Sequence, residues 1–151
     1  MLVQNIVNYR ENDMNNNVKY MEIPLIRSID SIKRIESGEL SNYDTIYFNN
    51  INNFKNTKKF YAYKIKDNTM EPRINKKDII IFEKKTTFSN LDICVIKIAN
   101  EEAIIRRVSK SNGYILLEPL NREYDTTVYK EKDLNKIINI IGKVVTLIRD
   151  I

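Results

Sequence analysis

Short β-branched segments separated by turn-forming residues constrain the fold of this chain most strongly. Segments of this length and composition are typical of strands, and the connections "ANEE" and "SKSNG" have the length and residues of hairpin turns. We therefore predict a mainly β domain with little helix. The clearest strand segments are "FYAYKIK" (60–66), "DIIIFEK" (78–84), "DICVIKIA" (92–99), "EAIIRRVSK" (102–110) and "GYILLEP" (113–119).

The two ends of the chain carry weaker signals. Residues 1–22 are polar and rich in asparagine, which predicts a flexible arm or linker before a folded domain at 23–151. A strand is expected near Ile23 and Leu25, residues 28–36 fit either its continuation or a short helical turn, and "YDTIYF" (43–48) fits another strand. Gly142 interrupts the apolar run at 137–151 and predicts a bulge or bend there.

Composition excludes several classes of chemistry. The 151 residues include no histidine, which rules out a Ser-His-Asp triad and nearly all zinc chemistry. Magnesium stays possible in principle, but no tight carboxylate cluster stands out in the sequence, so no metal or cofactor is expected. Cys94 lies in a strand pattern and is interpreted as a small buried apolar residue. With no signal peptide or long apolar run, we expect a cytoplasmic protein without membrane contact. The net charge of +5 is compatible with weak attraction to nucleic acid.

Six segments follow one another along the chain: "YKIKDNTMEP", "INKKDIIIFEK", "NLDICVIKI", "EEAIIRRV", "ILLEPLNREYD" and "IIGKVVTLIRD". Their order resembles the C-terminal domain of LexA, UmuD and phage repressors, the self-cleaving Ser-Lys peptidases. The match covers about residues 44–150, and the upstream "IPLIRSID" is similar to the segment before the family's cleavage site. The resemblance implies a signal-peptidase-like fold of short, highly bent strands in a partly open barrel.

The resemblance also assigns positions to the family's site. Thr69 takes the place of the nucleophilic serine, and Arg106 takes the place of the lysine base. The Ala-Gly pair at which the family cleaves itself corresponds to Ser31 and Ile32. The residues beside the nucleophile position, expected to line the cleft, are Asn68 and Met70.

These replacements argue against catalysis. The family's lysine must be neutral to accept the serine proton, whereas a guanidinium has a pKa above about 12 and is effectively never deprotonated in a protein. Thr69 keeps a hydroxyl, so an active peptidase that recruits Lys97 or Lys110 as its base stays open as an alternative. Ile32 fits poorly where the family has glycine.

The resemblance implies a regulatory and dimerisation domain that acts in bacterial or prophage transcription regulation. The replacements at Thr69 and Arg106 predict that this domain has lost self-cleavage. Its expected partners are a second copy bound through the C-terminal segment, a fused or separate DNA-binding domain, and a RecA-like activator. One alternative is an active self-cleaving peptidase of the SOS-response type that uses Thr69. Another is a peptide- or nucleic-acid-binding module that uses the vestigial cleft with Arg106.

Overall fold

The computed structural model describes residues 20–49 and 58–150. Strands dominate this part of the chain, and its α-helix, α1, is short and covers Ser31–Glu36. A 3₁₀ turn at Glu131–Asp133 precedes the last strand. The strands are β1 (Tyr20–Ile26), β2 (Asp44–Asn49), β3 (Phe60–Lys64), β4 (Ile79–Lys84), β5 (Asp92–Ile98), β6 (Ile104–Ser111), β7 (Tyr114–Glu118), β8 (Thr127–Lys130) and β9 (Ile138–Ile148).

The nine strands form one mixed sheet in the order β2-β1-β3-β4-β9-β5-β6-β7-β8. The pair β1 and β3 is parallel, with Ile26 opposite Tyr63, and the other neighbours are antiparallel. Within the described residues β2 and β8 are the two outer strands, so the sheet is not closed. The mainly β fold with an open barrel-like sheet is confirmed.

Strand β3 is buried on both of its faces. Tyr61 and Tyr63 pack into one apolar cluster with α1 and the inner side of β4, whereas Phe60 and Ala62 pack into a second cluster on the opposite face. Tyr61 is 4% exposed and Tyr63 is 5% exposed. Both tyrosines are therefore core residues and are not available to stack on nucleic-acid bases.

Strand β9 runs through the centre of the sheet and is bent at two points. Its register shifts against β5 next to Gly142 and against β4 next to Val144, as predicted for an apolar run interrupted by glycine. A Cβ atom at Gly142 would lie 2.4 Å from the Glu83 carbonyl oxygen and 2.5 Å from Cδ2 of Phe82. Only glycine therefore allows β9 to approach β4 so closely at this point.

The five clear strand segments and both hairpins are confirmed. The second hairpin turns at Asn112 and Gly113, which have positive φ values of 49° and 81°, as expected for Asn-Gly. For segment 28–36 the sequence allowed either a continued strand or a helical turn, and the structure has the helix α1 at Ser31–Glu36. Strand β8 was not predicted, because its four residues carry mostly exposed side chains and so show no clear apolar alternation.

Most of the predicted N-terminal arm lies outside the residues that the structure describes. Strand β1 begins at Tyr20, and residues 1–19 of the expected arm lie outside the described residues.

Cys94 is fully buried, as predicted, and burial raises the pKa of its thiol to about 12. In the described parts of the chain, no helix has the length and apolar character required to span a bilayer.

Candidate functional site

The turn between β3 and β4 holds Thr69 in place. Two apolar side chains anchor the turn from below, because Met70 is 2% exposed and Ile74 is fully buried in the core. The Ile74 N–H donates to the Met70 carbonyl across 3.0 Å, which closes one turn of backbone. The position of Thr69 is therefore fixed by core packing.

The Thr69 hydroxyl is buried and has two charged partners. It donates to Oδ1 of Asp67 across 2.7 Å, and the same oxygen accepts the Thr69 backbone N–H at 3.1 Å. The hydroxyl oxygen in turn accepts a hydrogen bond from Nη1 of Arg106 at 2.9 Å. Asp67 thus forms a side-chain-to-backbone turn that is typical of aspartate, and its carboxylate also orients the hydroxyl proton.

Arg106 reaches the hydroxyl from the middle of β6. Its Nη1 also donates to its neighbour's carbonyl, the Ile105 oxygen, at 2.7 Å. Burial lowers the pKa of the guanidinium, and the charge of Asp67 and the nearby Tyr124 act in the opposite direction. Because a guanidinium is effectively never deprotonated in a protein, the half-buried Arg106 beside a carboxylate still carries its proton.

A loop after β7 covers the turn and was not assigned to the site from the sequence. The Asn121 N–H donates to the Thr69 carbonyl at 3.0 Å, and Asn121 Nδ2 donates to the Asn68 carbonyl at 2.9 Å. The Tyr124 hydroxyl donates to Oδ1 of Asn68 at 2.6 Å. These polar loop residues follow no periodic pattern, so the only signal for them was the resemblance of "ILLEPLNREYD" to the family.

The structure separates the two predicted cleft-lining residues by environment. Asn68 is half-buried and faces the Asn121 and Tyr124 loop. The Met70 side chain points into the apolar core beneath Thr69. Met70 therefore positions the turn rather than presenting a group at its surface.

Both lysines that were considered as substitute bases are engaged elsewhere. Lys97 Nζ lies 2.7 Å from Oδ1 of Asp30, and Lys110 forms an ion pair with Glu131. Within the described residues, the Thr69 hydroxyl is hydrogen-bonded to Asp67 and Arg106. Neither lysine amine is bonded to that hydroxyl in this structure.

Ser31 and Ile32, which the resemblance predicts to be equivalent to the cleavage site, lie at the start of α1. The Ile32 side chain is 3% exposed and packs into the core. Its N–H, which belongs to the peptide bond equivalent to the cleaved one, donates to the Ile29 carbonyl at 3.1 Å. This peptide bond is part of a packed helical turn and is not presented as an extended strand.

The other end of α1 is tied to the sheet through Glu36. Tyr61 donates its hydroxyl to Oε1 of Glu36 at 2.8 Å, and Lys84 Nζ lies 2.8 Å from Oε2. The hydrogen bond from Lys84 is the main cause that lowers the pKa of Glu36, and Tyr61 and Lys59 lower this pKa further. Burial acts in the opposite direction but does not outweigh these contacts. The helix is thereby held against β3 and β4.

Taken together, these contacts determine what the site can do. A nucleophilic hydroxyl needs a partner that accepts its proton as the oxygen attacks. Here the oxygen accepts a hydrogen bond from a cation that keeps its proton, and its own proton points to Asp67. The arrangement stabilises a buried turn but provides no neutral amine.

A family model described as Peptidase S24-like matches residues 24–145. Curated relatives include the LexA repressor of Cereibacter sphaeroides, 37% identical over 90 residues that cover 59% of this chain and 38% of the relative. The LexA repressor of Clostridium perfringens is 29% identical over 136 residues, 89% of this chain and 63% of the relative. That of Clostridium tetani is 30% identical over 130 residues, 85% of this chain and 60% of the relative.

The chain spans 38% to 63% of the length of these relatives. The family match, in contrast, extends over most of the chain, from β1 to the middle of β9. It includes the turn that carries Thr69 and the strand that carries Arg106. This protein therefore belongs to the Peptidase S24-like family.

Proposed function

We propose that this chain is the regulatory and dimerisation module of a LexA-type transcription regulator, and that it has lost self-cleavage. The regulatory role is supported by its relatives, which are LexA repressors. The loss of cleavage is supported by the site itself. The two parts of the proposal are tested separately.

The contact between Arg106 and Thr69 carries the proposal of lost cleavage. Nη1 of Arg106 donates to the hydroxyl oxygen at 2.9 Å, the direction opposite to that required of a base. A guanidinium is effectively never deprotonated in a protein, so Arg106 cannot accept the proton of Thr69. The general-base assistance that the family's lysine supplies, worth typically 10²–10⁴-fold in rate, is therefore missing at this position. The Asp67 carboxylate accepts a hydrogen bond from the hydroxyl at 2.7 Å, but a carboxylate is a far weaker base than a neutral lysine amine.

The location of the equivalent cleavage site supports the same proposal. Cleavage between Ser31 and Ile32 would require the buried Ile32 side chain to leave the core and α1 to unwind. Burying an isoleucine side chain is worth about 1.5–3 kcal/mol, and the contacts of Glu36 with Tyr61 and Lys84 oppose release as well. The helix thus stabilises an uncleaved state.

Intact-mass spectrometry tests the loss of cleavage. In the family, alkaline pH speeds self-cleavage because it deprotonates the lysine, so incubation for days at about pH 10 is the most demanding condition. We expect a single species at the mass of the full chain. Two fragments whose masses divide the chain near Ser31 and Ile32 would contradict the proposal.

The proposal of dimerisation rests on the family resemblance, and the pairing of strands in the sheet restricts which surface a second copy can use. Both backbone edges of β9 are already paired, one with β4 and the other with β5. A second copy would therefore bind through side chains at the C-terminal end rather than by adding a strand to β9. Sedimentation velocity at tens of micromolar should show a dimer, and a single monomeric boundary across the concentration range would contradict this part.

A further inference from the structure

An open groove of about 760 Å³ lies beside the end of β3, away from Thr69 and Arg106. Its floor is apolar, and its rim is strongly basic. One carboxylate, Asp44, also lines it. The cationic residues of this basic groove are Arg27, Lys64, Lys66, Lys76 and Lys77.

Three separate segments bring these cations together. Arg27 follows β1, which lies parallel to β3 with Ile26 opposite Tyr63, and Lys66 Nζ donates to the Arg27 carbonyl at 3.4 Å. The turn that contains Lys76 and Lys77 folds back onto the end of β3, where the Lys77 N–H donates to the Ile65 carbonyl at 2.9 Å. The clustering thus results from the fold and not from one basic run in the sequence.

The cations of the basic groove differ from many others on this protein. All five are exposed, and none is within ion-pair distance of a carboxylate in the described residues. Elsewhere, cations such as Lys84, Lys97 and Arg149 each have an acidic partner. In the described part of the chain the basic groove therefore holds five cations against one carboxylate, Asp44, and none of the five is ion-paired.

We propose that the basic groove binds the phosphate backbone of duplex DNA without reading its sequence. Exposed lysine and arginine side chains neutralise phosphates and release the counterions condensed on DNA. The floor residues Ile26, Tyr63 and Ile65 are 3%, 5% and 5% exposed. These three side chains expose little surface to the apolar anchor side chains on which protein partners depend, which favours a polyanion over a folded acidic protein.

The proposal gives a quantitative expectation for salt dependence. Each phosphate contact contributes about −0.9 to the slope of log K against log salt concentration. Removing three of the five cations should therefore reduce the magnitude of that slope by about 2.7, and removing two by about 1.8. This effect depends on the groove and needs neither dimerisation nor the loss of self-cleavage.

Fluorescence anisotropy with the full chain and a labelled duplex of arbitrary sequence tests the proposal, with NaCl varied between about 50 and 200 mM. The groove variant is Lys66→Gln/Lys76→Gln/Lys77→Gln. The matched control is Lys130→Gln/Lys132→Gln/Lys136→Gln, which removes the same charge from exposed positions near β8, at the far end of the sheet. A second groove variant, Arg27→Gln/Lys64→Gln, gives an independent measure.

We expect the groove triple variant to bind the duplex at least about tenfold more weakly than the wild type at low salt. Its slope of log K against log salt concentration should be reduced, while the control keeps the wild-type slope. Equal losses in both triple variants would show that only net charge matters and would overturn the proposal. Unchanged binding by the groove variants, or no binding by the wild type at low salt, would also overturn it. Polyglutamate or anionic vesicles that displace DNA at matched charge would overturn the assignment to DNA.

Discussion

Nη1 of Arg106 donates a hydrogen bond to the Thr69 hydroxyl oxygen at 2.9 Å, although the two residues are 37 positions apart in the sequence. These are the two positions at which the resemblance places the family's lysine and serine. The fold thus brings the replaced pair together in bonding contact. The contact now joins a donor to an acceptor inside a partly buried site, and its consequences for stability and chemistry can be measured.

Removing the Thr69 hydroxyl should destabilise the domain. Thr69→Val keeps the shape of the side chain but leaves Asp67 and Arg106 each without one hydrogen bond, which should cost about 1–3 kcal/mol. Urea denaturation measures the change. In a double-mutant cycle with Arg106→Met we expect a coupling of about 1 kcal/mol, and a coupling near zero would show that the contact contributes nothing.

Replacing Gly142 by alanine should weaken the pairing of β9 with β4. The added methyl would lie 2.4 Å from the Glu83 carbonyl oxygen, and relieving that clash should cost about 1–3 kcal/mol of unfolding free energy. Asn139→Ala, at a half-buried position in the same strand, should change stability by no more than about 0.5 kcal/mol. If the two variants unfold at the same urea concentration, the close approach is not a constraint.

Leu91→Gly should stabilise the domain. Leu91 is 63% exposed and has a φ of 72°, in the left-handed region that costs a non-glycine residue about 1–2 kcal/mol. Glycine removes that strain but adds freedom to the unfolded chain, so the net gain should be about 0.5–1 kcal/mol. Leu91→Ala keeps the Cβ atom and should give no gain; an equal gain in both variants would contradict the strain.

The pair of Asp78 and Arg149 should make stability depend on acidic pH. Burial acts to raise the pKa of Asp78, but the hydrogen bonds from Arg149 and the Asn75 N–H outweigh it, so the pKa lies below its ordinary value. Because the pKa of Asp78 is lower in the folded state, its ionised carboxylate stabilises the fold at pH values above the unfolded-state pKa of about 3.9. This stabilisation is lost as the pH falls through the folded-state pKa.

Thermal unfolding between neutral and acidic pH measures this dependence. The pKa values of Asp30 and Glu36 are lowered too, so Asp78→Asn should reduce the loss of stability below about pH 4 without abolishing it. An Asp78→Asn variant that loses stability on acidification as steeply as the wild type would show that this pair does not contribute.

The strands were predictable because their physics is local. Segments such as 78–84 and 92–99 combine β-branched residues with turn chemistry at both ends, and these signals predict strands without knowledge of the partners. Strand β8 escaped prediction because it is short, lies at the sheet edge and exposes Thr127, Val128 and Lys130. Its pairing with β7 depends on tertiary contact that no local pattern records.

The site was predictable only in part. The prediction that Thr69 and Arg106 lie close together came from the resemblance to the family. Nothing in the local sequence around either residue relates the turn that holds Thr69 to the strand that holds Arg106. The contacts of Asn121 and Tyr124 with Asn68 join residues 53 and 56 positions apart. They arise from how a polar loop packs on the turn, which composition and periodicity do not encode.

The reactivity of the Thr69 hydroxyl tests the central claim most directly, because it does not depend on any particular cleavage site. The full chain, with Thr69→Val as control, is incubated with excess fluorophosphonate probe from neutral to alkaline pH and examined by intact-mass and peptide mass spectrometry. Arg106 cannot take the proton, and the Asp67 carboxylate that accepts it in a hydrogen bond is a far weaker base than a neutral lysine amine. We therefore predict that the wild type stays unmodified at Thr69, as the control must. A time-dependent adduct on the Thr69 hydroxyl of the wild type would contradict the claim.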